Sequence, residues 1–227
     1  MKKLGMSFIV VLMIATIFVG CSSTTKTATN VATTDVTNTD IKATEIIATA
    51  ATSDDIDGDT LPNSVEKTYG TNPYSADTDG DTITDDKDDQ PNYADMPFAK
   101  DGSALNVEIK NVRVEDNSTE DHLEIAFKNT GDKTLDGLDI YYTIEDKIAG
   151  VTEAYYQELT GVQLAAGEET IIHFDNLVEA NHFPVNMNGL YGTSENGPTF
   201  SITLHNKQNE YIDVTVTKDI GAAEVAD

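Results

Sequence analysis

Between Asp54 and Asp95 the chain carries thirteen acids against two lysines. A stretch of that charge repels itself and stays extended unless something positive closes it, so this segment most limits what the chain can fold into. Its acids follow an order. Asp55-Ile-Asp57-Gly58-Asp59-Thr60-Leu61-Pro-Asn63-Ser-Val65-Glu66 and Asp77-Thr-Asp79-Gly80-Asp81-Thr82-Ile83-Thr-Asp85-Asp-Lys-Asp88 start 22 residues apart. Both place carboxylates at positions 1, 3 and 5, a side-chain oxygen at 9 and an acid at 12. A hard cation takes about six to eight oxygens at about 2.3 to 2.6 Å, and a chain curling round it supplies alternate side chains plus the position-7 carbonyl. The expected ligands are Asp55, Asp57, Asp59, Asn63 and Glu66 with the Leu61 carbonyl, and Asp77, Asp79, Asp81, Asp85 and Asp88 with the Ile83 carbonyl. The Leu61 and Ile83 side chains are expected to turn inward as small apolar plugs. The expected ion is calcium; without it the same segment reads as an extended acidic linker.

The register differs from an EF-hand loop, which has glycine at position 6. Here Gly58 and Gly80 stand at position 4, and Thr60 and Thr82 at position 6. Sliding the frame by two would put Ser53 and Ser75 at position 1 and Leu61 and Ile83 at 9, which removes ligands. The unshifted frame places a threonine where positive φ is required, a strain of roughly 1 to 2 kcal/mol. Between the windows, Glu66-Lys-Thr-Tyr69-Gly70 reads as a helical turn closed by Gly70, with Val65 and Tyr69 on one face. The stretch Asp55 to Asn92, including Gly70-Thr-Asn-Pro73 and Asp85-Asp-Lys-Asp88-Asp-Gln90-Pro91-Asn92, resembles thrombospondin type 3 repeats of the bacterial kind. That resemblance implies aspartates wrapped round calcium with almost no other core. Gln90 stands where animal repeats often have a disulfide cysteine, which leaves calcium to hold the segment.

The N-terminal end has a different character. Met1-Lys2-Lys3 is followed by an uncharged run from Met6 to Val19 and then by Gly20 and Cys21. This is the layout of an export signal, and the run is shorter than the roughly 20 apolar residues of a membrane-spanning helix. Phe18-Val19-Gly20-Cys21 resembles the lipobox of bacterial lipoproteins, with Phe18 where that family has Leu, Val or Ile. The resemblance implies removal of residues 1–20 and a lipid on Cys21 that anchors the protein outside the cytoplasm. Residues 21–53, rich in Thr, Ala, Ser and Asn and without an aromatic, form a flexible tether. Its average reach is on the order of 30 Å. As Cys21 is the sole cysteine, no intramolecular disulfide staples the fold.

From residue 96 to 227 the pattern turns to period two. Val107-x-Ile109, Leu123-x-Ile125-x-Phe127, Leu138-x-Ile140-x-Tyr142-x-Ile144, Ile172-x-Phe174, Phe200-x-Ile202-x-Leu204 and Ile212-x-Val214-x-Val216 alternate with polar residues. These are half-buried strands, and Asn129-Thr-Gly131-Asp132 and Ala165-Ala-Gly167-Glu168 are turns between them. The fold class is mainly β: an antiparallel sandwich of roughly seven strands behind the acidic repeats at 54–95. Phe127-Lys-Asn129-Thr-Gly131 and Leu164-Ala-Ala-Gly167-Glu168-Glu-Thr-Ile171 are similar to immunoglobulin-like, CARDB-like adhesion domains, a likeness that carries no functional residues across.

The remaining chemistry is sparse. His122, His173, His182 and His205 have no ligand spacing or nucleophile motif beside them, and Ser194 lacks the strand–turn–helix setting of a hydrolase serine. Of the tyrosine pairs 141/142 and 155/156, one member of each belongs in the core, since strand neighbours face opposite ways. A net charge of -26 opposes binding to nucleic acid. The sequence therefore reads as a non-enzymatic envelope lipoprotein whose calcium-stiffened stalk presents a sandwich for attachment to a protein or glycan. The alternatives are a surface carbohydrate-binding module, which needs a tyrosine-lined face, and a hydrolase, which needs acids converging from several strands.

Overall fold

The computed structural model describes residues 54–115 and 122–221; the export signal, Cys21 and the tether lie outside the described residues. Nine strands follow one another as β1 (Ser103–Ala104), β2 (Val107–Glu115), β3 (His122–Asn129), β4 (Leu138–Asp146), β5 (Val151–Glu158), β6 (Glu169–Phe174), β7 (His182–Phe183), β8 (Thr199–Asn206) and β9 (Glu210–Thr217). Two short helices accompany them, α1 (Asn63–Tyr69) and α2 (Leu190–Thr193). One sheet runs β1-β9-β8-β4-β5 and the other β2-β3-β6-β7, and together they make the expected two-layer sandwich. It is not antiparallel throughout. The two-residue strands β1 and β7 pair in parallel with β9 and β6.

Every alternating run in the sequence became a strand because its apolar set has one side to face. Leu123, Ile125 and Phe127 of β3, Ile140, Tyr142 and Ile144 of β4, and Phe200, Ile202 and Leu204 of β8 are buried in a common core. Each such side chain is worth about 1.5 to 3 kcal/mol when fully buried, which lets the sandwich hold without a disulfide. The two turns meet at Asn129. Its Oδ1 accepts from the Gly131 N–H at 2.9 Å, while its Nδ2 donates to the carbonyls of Lys133 at 2.8 Å and Leu164 at 3.0 Å.

Strand β5 was not visible as an alternation, and its burial explains why. Ala154 and Tyr155 are adjacent and both buried, Tyr155 towards the core and Ala154 under the acidic segment. The Ala154 N–H donates to the Asn92 carbonyl at 3.0 Å, the Ala94 N–H to the Ala154 carbonyl at 2.9 Å, and the Tyr156 N–H to the Asp79 carbonyl at 2.7 Å. Residues 54–95 are therefore not a stalk held away from a head. They lie along the free edge of the five-stranded sheet, and the described residues belong to one compact unit. The chain then crosses that sheet's outer face: the Tyr141 hydroxyl donates to the Ala94 carbonyl, and Phe98 stacks on His205 at 3.9 Å. Tyr142 lies in the core, as expected of one member of its pair, and Tyr141 on the opposite face is buried under this crossing chain.

Candidate metal centres

The two acidic windows fold alike, as a 22-residue repeat should. In each, position 1 takes the backbone of position 4: Asp55 Oδ1 accepts from the Gly58 N–H and Asp77 Oδ1 from the Gly80 N–H, both at 2.8 Å. Position 3 accepts from position 5, and position 5 from position 7, with Asp59 bonded to the Leu61 N–H and Asp81 to the Ile83 N–H. These bonds wind the chain into a loop whose carboxylates converge. One oxygen from each of Asp55, Asp57 and Asp59 lies within 4.8 Å of the others, and Asp77, Asp79 and Asp81 do the same. The winding needs positive φ at positions 4 and 6. Gly58 and Gly80 supply it freely, whereas Thr60 at +85° and Thr82 at +80° bear the strain foreseen for them.

Helix α1 places the acid at position 12 of the first window. It ends at Gly70, in the left-handed conformation at φ +81°, whose N–H donates to the Glu66 carbonyl at 2.7 Å. The helix does not bury the Val65/Tyr69 face; Tyr69 is exposed, and Glu66 is the residue it turns inward. Glu66 is 0% exposed and neither carboxylate oxygen has a hydrogen-bond partner. Burial pushes its carboxyl up to about 7, with repulsion from Asp57, Asp59, Asp85 and Asp55 acting the same way. Asp57 Oδ2 and Asp59 Oδ2 are also buried without partners. Leaving such groups unmet in a folded protein costs several kcal/mol, and a cation at their centre removes that cost. The donors are all oxygen, the set that suits a hard ion, and their free atoms fit one.

The second centre is built on the same plan with less to offer. Asp88, one methylene shorter than Glu66, fills position 12 and leaves Oδ2 buried and unpartnered. Asp79 is 1% exposed and its carboxyl is pushed up to about 7 by burial, with Asp81 and Asp88 repelling it. Its second oxygen accepts from the Tyr93 N–H at 2.9 Å, a bond without counterpart in the first window.

Position 9 behaves differently from expectation. Asn63 Oδ1 accepts from the Ile56 N–H at 3.1 Å, and Asp85 Oδ1 from the Thr78 N–H at 2.8 Å, so each clamps its loop seven residues back. Asp85 Oδ2 takes the Thr78 hydroxyl as well, and repulsion from Asp59 and Asp57 places Asp85 beside the first centre rather than only the second. The apolar plugs are not formed as expected: Ile83 is 45% exposed and Leu61 half-buried, because the space inside each loop belongs to carboxylates. Residues that sequence reasoning missed hold the assembly from the sandwich side. Asn186 Nδ2 donates to the Gly70 carbonyl and to Asn92 Oδ1, and Asn188 Nδ2 to the Thr71 carbonyl. No local pattern marks them, since their partners lie about a hundred residues away.

Elsewhere, the Ser194 hydroxyl donates to Asp146, a carboxylate held down to about 2 by the Ala149 N–H and by Ser194 and Asn196 themselves. His173 and His182, apart in sequence, stack at 4.6 Å through the parallel pairing of β6 and β7, and His182 meets Asp175 at 2.8 Å. Among the described residues no helix is long and apolar enough to cross a membrane.

No protein-family model matches the chain, and no curated protein does. Among solved structures, a β-glucosidase from Listeria innocua in complex with isofagomine is similar over 49% of this chain and 16% of its own, at 13% identity and TM-score 0.28. A β-glucosidase from Bifidobacterium adolescentis covers 53% of this chain and 18% of its own, at 20% identity and TM-score 0.30. An alkylpurine DNA glycosylase from Pseudomonas fluorescens, bound to DNA, covers 50% and 30%, at 17% identity and TM-score 0.31. This chain thus spans under a third of each of these proteins, and likenesses of this size carry no argument about its activity.

Proposed function

We propose that residues 54–95 bind two calcium ions and that the protein is an extracytoplasmic lipoprotein, tethered through Cys21, whose sandwich serves attachment or recognition at the cell envelope. The observation that carries the calcium reading is Glu66, wholly buried among Asp55, Asp57, Asp59 and Asp85 with both oxygens unpartnered. A carboxylate so placed calls for a cation. Oxygen-only donors in a winding loop favour calcium over zinc, which takes nitrogen and sulfur, and over magnesium, which keeps its waters. The anchor rests on the Phe18-Val19-Gly20-Cys21 sequence. The recognition role rests on a small, disulfide-free sandwich beyond a tether. A carbohydrate-binding face is less well supported, because Tyr142 and Tyr155 are in the core and the exposed Tyr69, Tyr74 and Tyr93 stand on the acidic segment.

Calorimetric titration of the metal-free protein tests the reading. Two calcium ions per chain are expected, with affinities between micromolar and millimolar, the range of sensor and extracellular sites. No heat of binding at millimolar calcium, or equal binding of magnesium, overturns it.

A further inference from the structure

The two centres differ in what they are attached to. The first is formed by its own window and α1, with Asp85 of the second window beside it but with both oxygens taken by Thr78, and it has four buried carboxylate oxygens awaiting a partner: Asp57 Oδ2, Asp59 Oδ2 and both of Glu66. The second is built against the sandwich. Asp79 gives its carbonyl to the Tyr156 N–H, one carboxylate oxygen to the Asp81 N–H and the other to the Tyr93 N–H. Tyr93 in turn bridges to Ala154 in parallel register, so Asp79 ties the second loop to β5 directly and through Tyr93. Gly80 lies so close to β5 that a Cβ there would collide with the Tyr156 carbonyl oxygen. Strand β5 ends its sheet, and the segment is what covers its outer edge.

We infer that a divalent cation at the second centre fastens residues 76–95 to the edge of β5, and that its loss frees that edge while the first centre and the sandwich persist. The inference rests on the calcium reading given above. Without the ion, Asp77, Asp79, Asp81 and Asp88 repel one another within a loop that has fewer buried oxygens to lose and a shorter acid at position 12 than the first. The second centre therefore empties first. When it opens, Asp79 can no longer hold its three backbone bonds in register, and β5 is left with unpaired N–H and C=O groups, the template to which an extended strand adds. The coupling is reciprocal: whatever steadies the docked segment from the sandwich side also tightens calcium. Asn186, which is no expected ligand and whose Nδ2 donates to Asn92 Oδ1 in the docked segment, is thus an affinity-setting positioning residue for the second centre.

Hydrogen exchange of the whole protein, read together with calcium calorimetry, tests this. On chelation the Ala154 and Tyr156 amides are expected to exchange at least tenfold faster while the Ile202 amide in β8 stays protected. Reprotection should follow the weaker of two calcium steps. Asn186→Ala, which removes the bond to Asn92 in the docked segment, should weaken that step by roughly fivefold or more, the lower end of ordinary coupling, whereas Asn188→Ala, which loses only Thr71 beside α1, should leave it unchanged. Unchanged exchange at Ala154 and Tyr156 while calorimetry records calcium leaving overturns the coupling and spares the calcium reading. Calorimetry that finds no calcium at all overturns both.

Discussion

Replacing Glu66 with glutamine separates an ion ligand from an ordinary buried acid, because its effect should depend on calcium. Glu66 is buried with no hydrogen-bond partner from the protein, and with no cation beside it burial raises its carboxyl from the ordinary 4.5 to about 7. Since the folded value lies above the unfolded one, the group's contribution to stability is intact below about 4.5 and is lost as pH climbs through about 7. At about pH 8 the ionised side chain therefore opposes folding by on the order of 3 kcal/mol. Glutamine is neutral and nearly the same shape, and its amide can donate to the surrounding aspartates. Glu66→Gln should raise the melting temperature in chelator at that pH by roughly 6 to 12 °C for a domain of this size. Calcium tells the other half: an ion present at about 100 times its Kd stabilises the native protein by about 2.7 kcal/mol, and the variant should lose most of the first centre's share. The assay is thermal unfolding of wild type and variant, each with chelator and with calcium. A variant less stable than wild type in chelator, with an undiminished gain from calcium, would show that Glu66 is a structural acid and not a ligand.

Three further outcomes are expected. Asn129→Ala removes three donations to carbonyls and one acceptance inside the sandwich, and should lower stability in urea by roughly 2 to 3 kcal/mol; a loss under about 0.5 kcal/mol would mean water replaces the side chain. Asp146, held down to about 2 by the Ala149 N–H, Ser194, Asn196 and the Ile148 N–H, stabilises the fold above its ordinary value of 3.8 and loses that effect as pH falls through about 2. Asp146→Asn should therefore be less stable than wild type at neutral pH, with the gap narrowing in acid, and a gap independent of pH would refute the assignment. Cys21→Ser should move the protein from the membrane fraction to the soluble one or leave an unprocessed precursor, and mass spectrometry finding an unmodified Cys21 in the wild type would end the lipoprotein reading.

What the sequence revealed and what it hid follow from how local each cause is. Six strands were legible because one face of each meets the core and the other meets water or polar neighbours. Strand β5 was hidden because its second side meets Asn92 and Asp79, partners from another part of the chain. The convergence of Asp55, Asp57 and Asp59 was legible because position-to-position bonds within a single loop produce it. The strained threonines were legible for the same reason, since the frame alone puts them where φ must be positive. The clamp made by Asn63 and Asp85 was not, because an oxygen facing a backbone N–H and one facing an ion have the same sequence signature. The docking left no trace at all on the β5 side, where backbone N–H and C=O groups of Ala154 and Tyr156 do the bonding.

The docking also explains why so acidic a segment lies where it does. An open sheet needs its edges covered, and a chain without an intramolecular disulfide has few ways to fix a cover in place. An apolar cover would hold tightly and would stay whatever its surroundings. The segment from Asp54 to Asp95 is the opposite kind of cover: thirteen acids and two lysines leave it at -11, and two divalent ions cancel only four of those charges. Its grip is therefore conditional. On the calcium reading proposed above, the ions that let the loops close would also set the three backbone bonds from Asn92, Ala94 and Asp79 to β5, so that the strength of the cover would track calcium. With two such ions bound, seven net negative charges would remain on the cover, and like charges of that number oppose its pairing with another copy of the same anionic protein.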